Sequence, residues 1–216
     1  MSEPIIYDHV EIGEGTTIEP YAILGIVDRF HPVSPTIIGQ KSFIGSRCTV
    51  YCNVTTGNGF DISDQSTVFY DNHFGDDCRI GPKSVIKNGC RIGDRVRVNS
   101  QTFLERVQIG SDVFIGPGTI FTDDMHPPCP HNKECTPFIN VGDRVSIGAN
   151  ATICPGVDIG NNSQIYAGAV VVKNVEPFSV VAGVPARKIG DTRELTCPPG
   201  LMKHPFEPWL IADDDI

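Results

Sequence analysis

Apolar residues recur at every sixth position along most of this chain. From Ile38 the step runs through Ile44, Val50, Thr56, Ile62, Val68, Phe74, Ile80, Ile86, Ile92, Val98 and Leu104. One residue then drops out, and the step resumes at Ile109, Ile115 and Phe121. After an irregular stretch it returns at Val141, Ile147, Ile153, Ile159, Ile165 and Val171; before an earlier gap it occupies Ile6, Ile12, Ile18 and Leu24. Of these 25 positions only Thr56 is polar, which a chain of 40 % hydrophobic content does not produce by chance. Two residues before each step the side chain is compact, as at Ala22, Ser42, Cys48, Cys78, Ser84, Cys90 and Ala151, with few exceptions such as Phe60 and Asn72. One residue after it, glycine recurs, as at Gly39, Gly81, Gly116 and Gly148.

A helix needs apolar residues every three or four positions, and that spacing is absent. Strand alternation points residue i and residue i−2 to the same side. The period of six therefore reads as a short flat strand followed by a corner. Glycine suits such a corner because it accepts positive φ at little cost. Three units close one triangular coil, and 25 units predict about eight coils, a prism of ~40 Å at ~4.8 Å per coil. Each coil covers the apolar row of its neighbours, so none is stable alone. The fold class expected is all-β, a parallel β-helix over 1–190 interrupted by excursions at 25–36 and 122–140, with a C-terminal extension over 191–216. The stretch YCNVTTGNGFDISD fits the period poorly at Thr56 and Phe60 and predicts a bulged coil.

Composition narrows the function. The net charge of −9 argues against nucleic acid and against an anionic membrane surface, both of which call for a basic face. The N-terminal MSEPIIYDHV lacks the charged start and apolar run of a secretory signal, so a cytoplasmic location is expected. Cys48, Cys78 and Cys90 fall on inward compact positions, where a thiol behaves as a small apolar group.

Runs such as IGPKSVIKNGCRIG and VGDRVSIGANATICPGVDIG resemble the hexapeptide repeats of left-handed parallel β-helix acyltransferases. The end of the repeat, IYAGAVVVKNVEPFSVVAGVPARKIG, is similar to that of the sugar acetyltransferases, including the galactoside and maltose enzymes and those acting on nucleotide-linked amino sugars. The resemblance implies a left-handed coil, a homotrimer, and acetyl-CoA as co-substrate lying between neighbouring prisms. It implies that Ala149, Ala167 and Gly168 present backbone to the pantetheine arm and that Arg187 and Lys188 face the CoA phosphates.

The irregular stretch FTDDMHPPCPHNKECTPF, residues 121–138, matches the place where the galactoside and maltose enzymes carry a catalytic loop. Its His126-Pro127 pair makes His126 the implied general base. A histidine suits that task because an amine or hydroxyl must lose a proton as it attacks the thioester. By the same resemblance Asn99 lies on the acceptor side and Glu105 orients the acceptor or the base.

Three other readings stand beside this one. His126, Cys129, His131 and Cys135 are four potential zinc ligands in ten residues, although Pro127, Pro128 and Pro130 limit wrapping of the backbone around an ion. His126 and His131 also have the five-residue separation seen in gamma-type carbonic anhydrases, a zinc-dependent alternative on the same scaffold. A non-catalytic β-helix scaffold is the third. The earlier excursion, GIVDRFHPVSPT, offers Arg29 and His31 as weaker candidates for substrate contact.

Overall fold

The computed structural model describes residues 3–27, 29–127, 130–131, 135–197 and 199–201. Among them the chain is a left-handed parallel β-helix. Successive short strands visit three sheets in turn, so each strand pairs in parallel with the one a full coil later. Sheet 1 includes Thr67–Val68, Val85–Ile86, Phe103–Leu104 and Ile120–Phe121. Sheet 2 includes Asn72–Phe74, Arg91–Ile92, Val107–Ile109 and Ile139–Val141, and sheet 3 includes Arg79–Ile80, Arg97–Val98, Phe114–Ile115 and Ser146–Ile147. The described residues give these sheets nine, eight and ten strands, so sheet 1 runs through eight full turns, the number that the period predicts. At the C-terminal end Arg187–Asp191 turns back antiparallel onto Ser179–Ala182 and closes sheet 3.

The six-residue row forms the core. Leu24, Ile44, Ile62, Val68, Ile86, Leu104, Ile115, Phe121, Ile147 and Ile153 are fully buried. The row is uncovered only at the N-terminal coil, where Ile6 and Ile12 are 41 % and 39 % exposed, because no coil stacks beyond them. The compact inward positions hold hydroxyls as well as methyls. Ser66, Ser84 and Thr102 stack in register, with Ser66 Oγ accepting from Ser84 N–H at 3.2 Å and Ser84 Oγ from Thr102 N–H at 3.3 Å. Cys48, Cys78 and Cys90 are buried as expected, and burial pushes their thiols up to about 11, 11 and 12.

Two expectations are corrected. No bulge occurs in YCNVTTGNGFDISD: Val54, Thr55 and Thr56 pair in unbroken register with Asn72, His73 and Phe74. Phe60 fits inward against Phe74, ring centroids 4.9 Å apart. The polar exceptions are bonded internally. Thr56 Oγ1 accepts from Gly39 N–H at 3.0 Å, and Asn72 donates to the Phe69 carbonyl at 2.7 Å while accepting from Cys90 N–H at 2.8 Å. The parallel ladder slips instead between Leu24 and Ile26, where the first excursion begins.

The second correction concerns the recurrent glycines. Positive φ falls two residues after them, at Lys41, Lys83, Arg95 and Asn150 among others. The glycines themselves are required by close approach between coils. A Cβ on Gly81 would lie 2.7 Å from the Asn99 carbonyl carbon, and one on Gly116 would lie 2.6 Å from Ala149 N.

Past Gly190 the chain stays on the prism: Thr192 is buried and its hydroxyl donates to the Asn162 carbonyl at 2.9 Å. Most of the expected extension, with Phe206 and Trp209, lies outside the described residues.

Candidate active site

Both excursions leave the prism at the same corner, between sheet 1 and sheet 2. The first joins Ile23–Ile26 to Thr36–Ile38 and the second joins Ile120–Phe121 to Ile139–Val141. Along this corner one side chain per coil projects in sequence: Tyr51, Phe69, Lys87, Glu105, Thr122. Tyr51 and Phe69 stack with centroids 4.8 Å apart, and the Lys87 ammonium lies 4.5 Å over the Phe69 ring. One residue further on, Tyr70 receives His31 of the first excursion, stacked at 3.7 Å.

At the root of the second excursion is a chamber of about 430 Å³, whose walls include Tyr70, Asn88, Glu105, Arg106, Asp123 and Thr136. Burial raises the Glu105 carboxyl above its ordinary value of 4.5; the neighbouring Asp123 charge adds to this, while Lys87 and Arg106 pull it back. Arg106 ties down the far end of the second excursion. Its Nη2 donates to the Thr136 carbonyl at 3.2 Å, and its guanidinium lies 4.9 Å over the Phe138 ring. His126 is exposed, and its backbone N–H donates to Asp124 Oδ1 at 2.8 Å. Cys135 Sγ donates to the His131 carbonyl at 3.2 Å. Cys129, a member of the zinc set, lies outside the described residues, and among those described no three His, Cys, Asp or Glu side chains gather as a metal group.

Asn99 stands at the other edge of sheet 1, where sheet 3 turns into it. Its Nδ2 donates to the Ile115 carbonyl of the next coil at 2.9 Å, so part of its hydrogen-bonding capacity secures the stack. The same edge continues through Gly116 and Ala149 to Ala167 and Gly168. Gly168 has φ +70°, no heavy atom within 4 Å of where a Cβ would stand, and its N–H donates to the Ala149 carbonyl at 2.8 Å. Arg187 and Lys188 are exposed on the closing strand and, with Lys173, line a separate cleft of about 260 Å³. Within one chain, then, Glu105 and the root of the histidine-bearing excursion share one edge. Asn99, Ala149, Ala167 and Gly168 share another, and strand Phe103–Leu104 runs between Asn99 and Glu105.

Sequence reasoning passed over Asn88 and Arg106, both of which line the chamber. Asn88-Gly89 reads as an ordinary turn pair, and only the chamber itself distinguishes it. A larger groove, about 840 Å³, lies along sheet 2 and shares none of the expected site residues. Its polar side chains largely satisfy one another: Asn140 and Asn174 both donate to Asp158, at 2.7 and 3.2 Å. His73 projects outward into this groove, and burial, then the Arg91 charge, lowers its proton affinity.

The chain matches the family described as bacterial transferase hexapeptide (six repeats) over residues 73–106 and 138–173. It also matches the hexapeptide repeat of succinyl-transferase over residues 35–68. It is similar to a galactoside O-acetyltransferase of Escherichia coli (strain K12), 40 % identical over 92 residues, covering 41 % of this chain and 45 % of the relative. A serine acetyltransferase of Mycobacterium tuberculosis is 37 % identical over 137 residues, covering 59 % of this chain and 52 % of the relative. The chain spans about half the length of these curated relatives. In fold it resembles the solved UDP-N-acetylglucosamine acyltransferase from Campylobacter jejuni, with a TM-score of 0.68 at 15 % identity over 88 % of this chain and 73 % of that one. Repeat period, stacked sheets and these matches agree, and the chain belongs to the hexapeptide-repeat acyltransferase family.

Proposed function

We propose that the protein is an acetyl-CoA-dependent acetyltransferase that modifies an amino or hydroxyl group of a sugar or nucleotide-linked amino sugar. The observation that carries this reading is the corner chamber. A half-buried carboxyl with raised proton affinity, Glu105, stands beside Asp123 at the root of the excursion that bears His126.

In this reading His126 takes the proton from the acceptor as its nitrogen or oxygen attacks the thioester carbonyl. Glu105 orients the acceptor or the imidazolium. The tetrahedral oxyanion then collapses, the C–S bond breaks, and the proton held by His126 passes to the departing CoA thiolate. Asn99 assists from the acceptor side. The pantetheine arm runs past Ala149, Ala167 and Gly168, where the open space at Gly168 admits an extended ligand. Arg187 and Lys188 meet the CoA phosphates. Because Asn99 and Glu105 flank opposite edges of sheet 1, the site is completed by a second copy of the chain, in keeping with a homotrimer. A cytoplasmic location, where acetyl-CoA is made and used, goes with the same reading.

The test is a CoA affinity measurement followed by an acceptor screen that reads thiol release. Saturable acetyl-CoA binding and acceptor-dependent thiol release are expected. A chain that binds no acetyl-CoA, or binds it without releasing CoA thiol in the presence of any amino or hydroxyl sugar, is not this enzyme.

A further inference from the structure

Two buried polar atoms beside the corner chamber are left over from the internal hydrogen bonding. Arg106 Nε and Asn88 Oδ1 are both shielded from water and, among the described residues, neither has a protein partner. Both residues line the chamber. One atom is a donor and the other an acceptor. Leaving such an atom unpaired is unfavourable, so a native protein normally supplies a partner, either ordered water or a ligand.

The chamber also says what kind of ligand fits. Among the described residues its carboxylates are Asp71, Glu105 and Asp123, and its one lining cation is Arg106. Asp71 is paired with Arg91 at 2.9 Å, and Arg106 is already engaged with the Thr136 carbonyl. A phosphate entering here would meet more negative charge than positive. A neutral group that both accepts and donates meets no such penalty. Its oxygen accepts from Arg106 Nε and its N–H or O–H donates to Asn88 Oδ1, leaving neither atom unpaired. Tyr70, backed by His31 at 3.7 Å, gives the wall an aromatic ring of the kind that packs against the C–H face of a sugar. The volume, about 430 Å³, is within the ~300–1,000 Å³ range of small-molecule sites.

We propose that this chamber is the acceptor's recognition pocket and that Arg106 and Asn88 read a hydroxyl or acetamido group on an uncharged sugar ring, not a phosphate. The role of Glu105 and His126 beside it rests on the acetyl-transfer reading above, whereas binding of the sugar needs no CoA.

The test titrates the full chain, without acetyl-CoA, with N-acetylglucosamine, UDP-N-acetylglucosamine and inorganic phosphate. N-acetylglucosamine is expected to bind saturably. Asn88→Leu and Arg106→Lys each weaken that binding about tenfold, the effect of one buried hydrogen bond. Asn88→Asp, which keeps an acceptor oxygen in place, retains binding and carries the test if the leucine variant does not fold. The nucleotide-linked sugar separates the two sources of the ring: if it binds through the ring, the same variants weaken it. Failure of either sugar to bind, binding indifferent to all these variants, or competition by inorganic phosphate overturns the proposal. Acetyl-CoA affinity is measured separately. Its absence with sugar binding intact sinks the transfer reading alone, and the converse result sinks the pocket alone.

Discussion

Arg106 and Thr136 lie thirty residues apart in the chain and are joined by one hydrogen bond of 3.2 Å, with the same guanidinium resting on the ring of Phe138. This contact anchors the returning limb of the second excursion to the prism wall. Hydrogen bonds to charged groups contribute ~1.5–3 kcal/mol, and 1.4 kcal/mol is a factor of ten. Arg106→Ala should therefore raise the rate of limited proteolysis within 122–138 by about tenfold or more, read by mass spectrometry of the cut sites. Unchanged cleavage would show that another contact holds the limb.

His126 is exposed and, among the described residues, its side chain makes no hydrogen bond or ion pair, so its removal should leave the fold intact. His126→Ala is expected to lower kcat by ~10²–10⁴, the usual span for a general base, with little change in Tm. Thiol release from acetyl-CoA under saturating acceptor measures it. Near-normal turnover would remove His126 from the mechanism.

Glu105 carries a pH signature. Burial raises its folded proton affinity above the ordinary 4.5, so the native state holds this proton more tightly than the unfolded chain does. The penalty for ionising it is absent well below pH 4.5 and grows as pH rises through the raised value. Glu105→Gln removes that penalty. The variant should melt higher than the parent at neutral pH, with the difference vanishing at about pH 4, while activity falls. Parallel Tm–pH curves for the two proteins would contradict the burial.

The two kinds of glycine should respond differently to the same substitution. Gly116→Ala drives a methyl to 2.6 Å from Ala149 N, a backbone atom that cannot move aside, so the stack between coils is strained. Gly168→Ala meets no neighbour and bears only the left-handed φ, ~1–2 kcal/mol. Its methyl nevertheless enters the path assigned to pantetheine, so KM for acetyl-CoA should rise ~10-fold while the fold survives. Isothermal unfolding and acetyl-CoA titration of both variants decide this. Equal loss of stability with unchanged acetyl-CoA affinity in Gly168→Ala would move the CoA path elsewhere.

The period of six made the prism legible because each inward residue is dictated by one local rule, repeated coil after coil. Ile86 and Leu104 are buried for the same reason, and either predicts the other. The candidate site is not periodic, and less of it could be read. The stretch around His126 announces itself by breaking the repeat. Asn88 and Arg106 do not: each occupies an ordinary corner position, and they face one chamber only because eighteen residues return the chain to the same edge. The recurrent glycines were found by pattern but misread in cause, since the sequence shows where glycine is needed and not which backbone lies against it.

Thr56 separates pattern from structure most directly. It is the single polar residue in the apolar row, so the repeat alone recommends Thr56→Val as an improvement. The structure recommends against it. Thr56 Oγ1 accepts the Gly39 N–H at 3.0 Å across neighbouring coils, and valine has the same shape but no acceptor. The gain from one more apolar methyl on an already buried side chain is ~1 kcal/mol at most, whereas an unsatisfied buried N–H costs ~1–3 kcal/mol. Thr56→Val should therefore lower the urea midpoint of unfolding without altering its slope, while Thr56→Ser, which keeps the oxygen, loses only methyl packing. If the valine variant proves the more stable of the two, the Gly39 amide finds water, and the bond between these coils contributes nothing to holding them together.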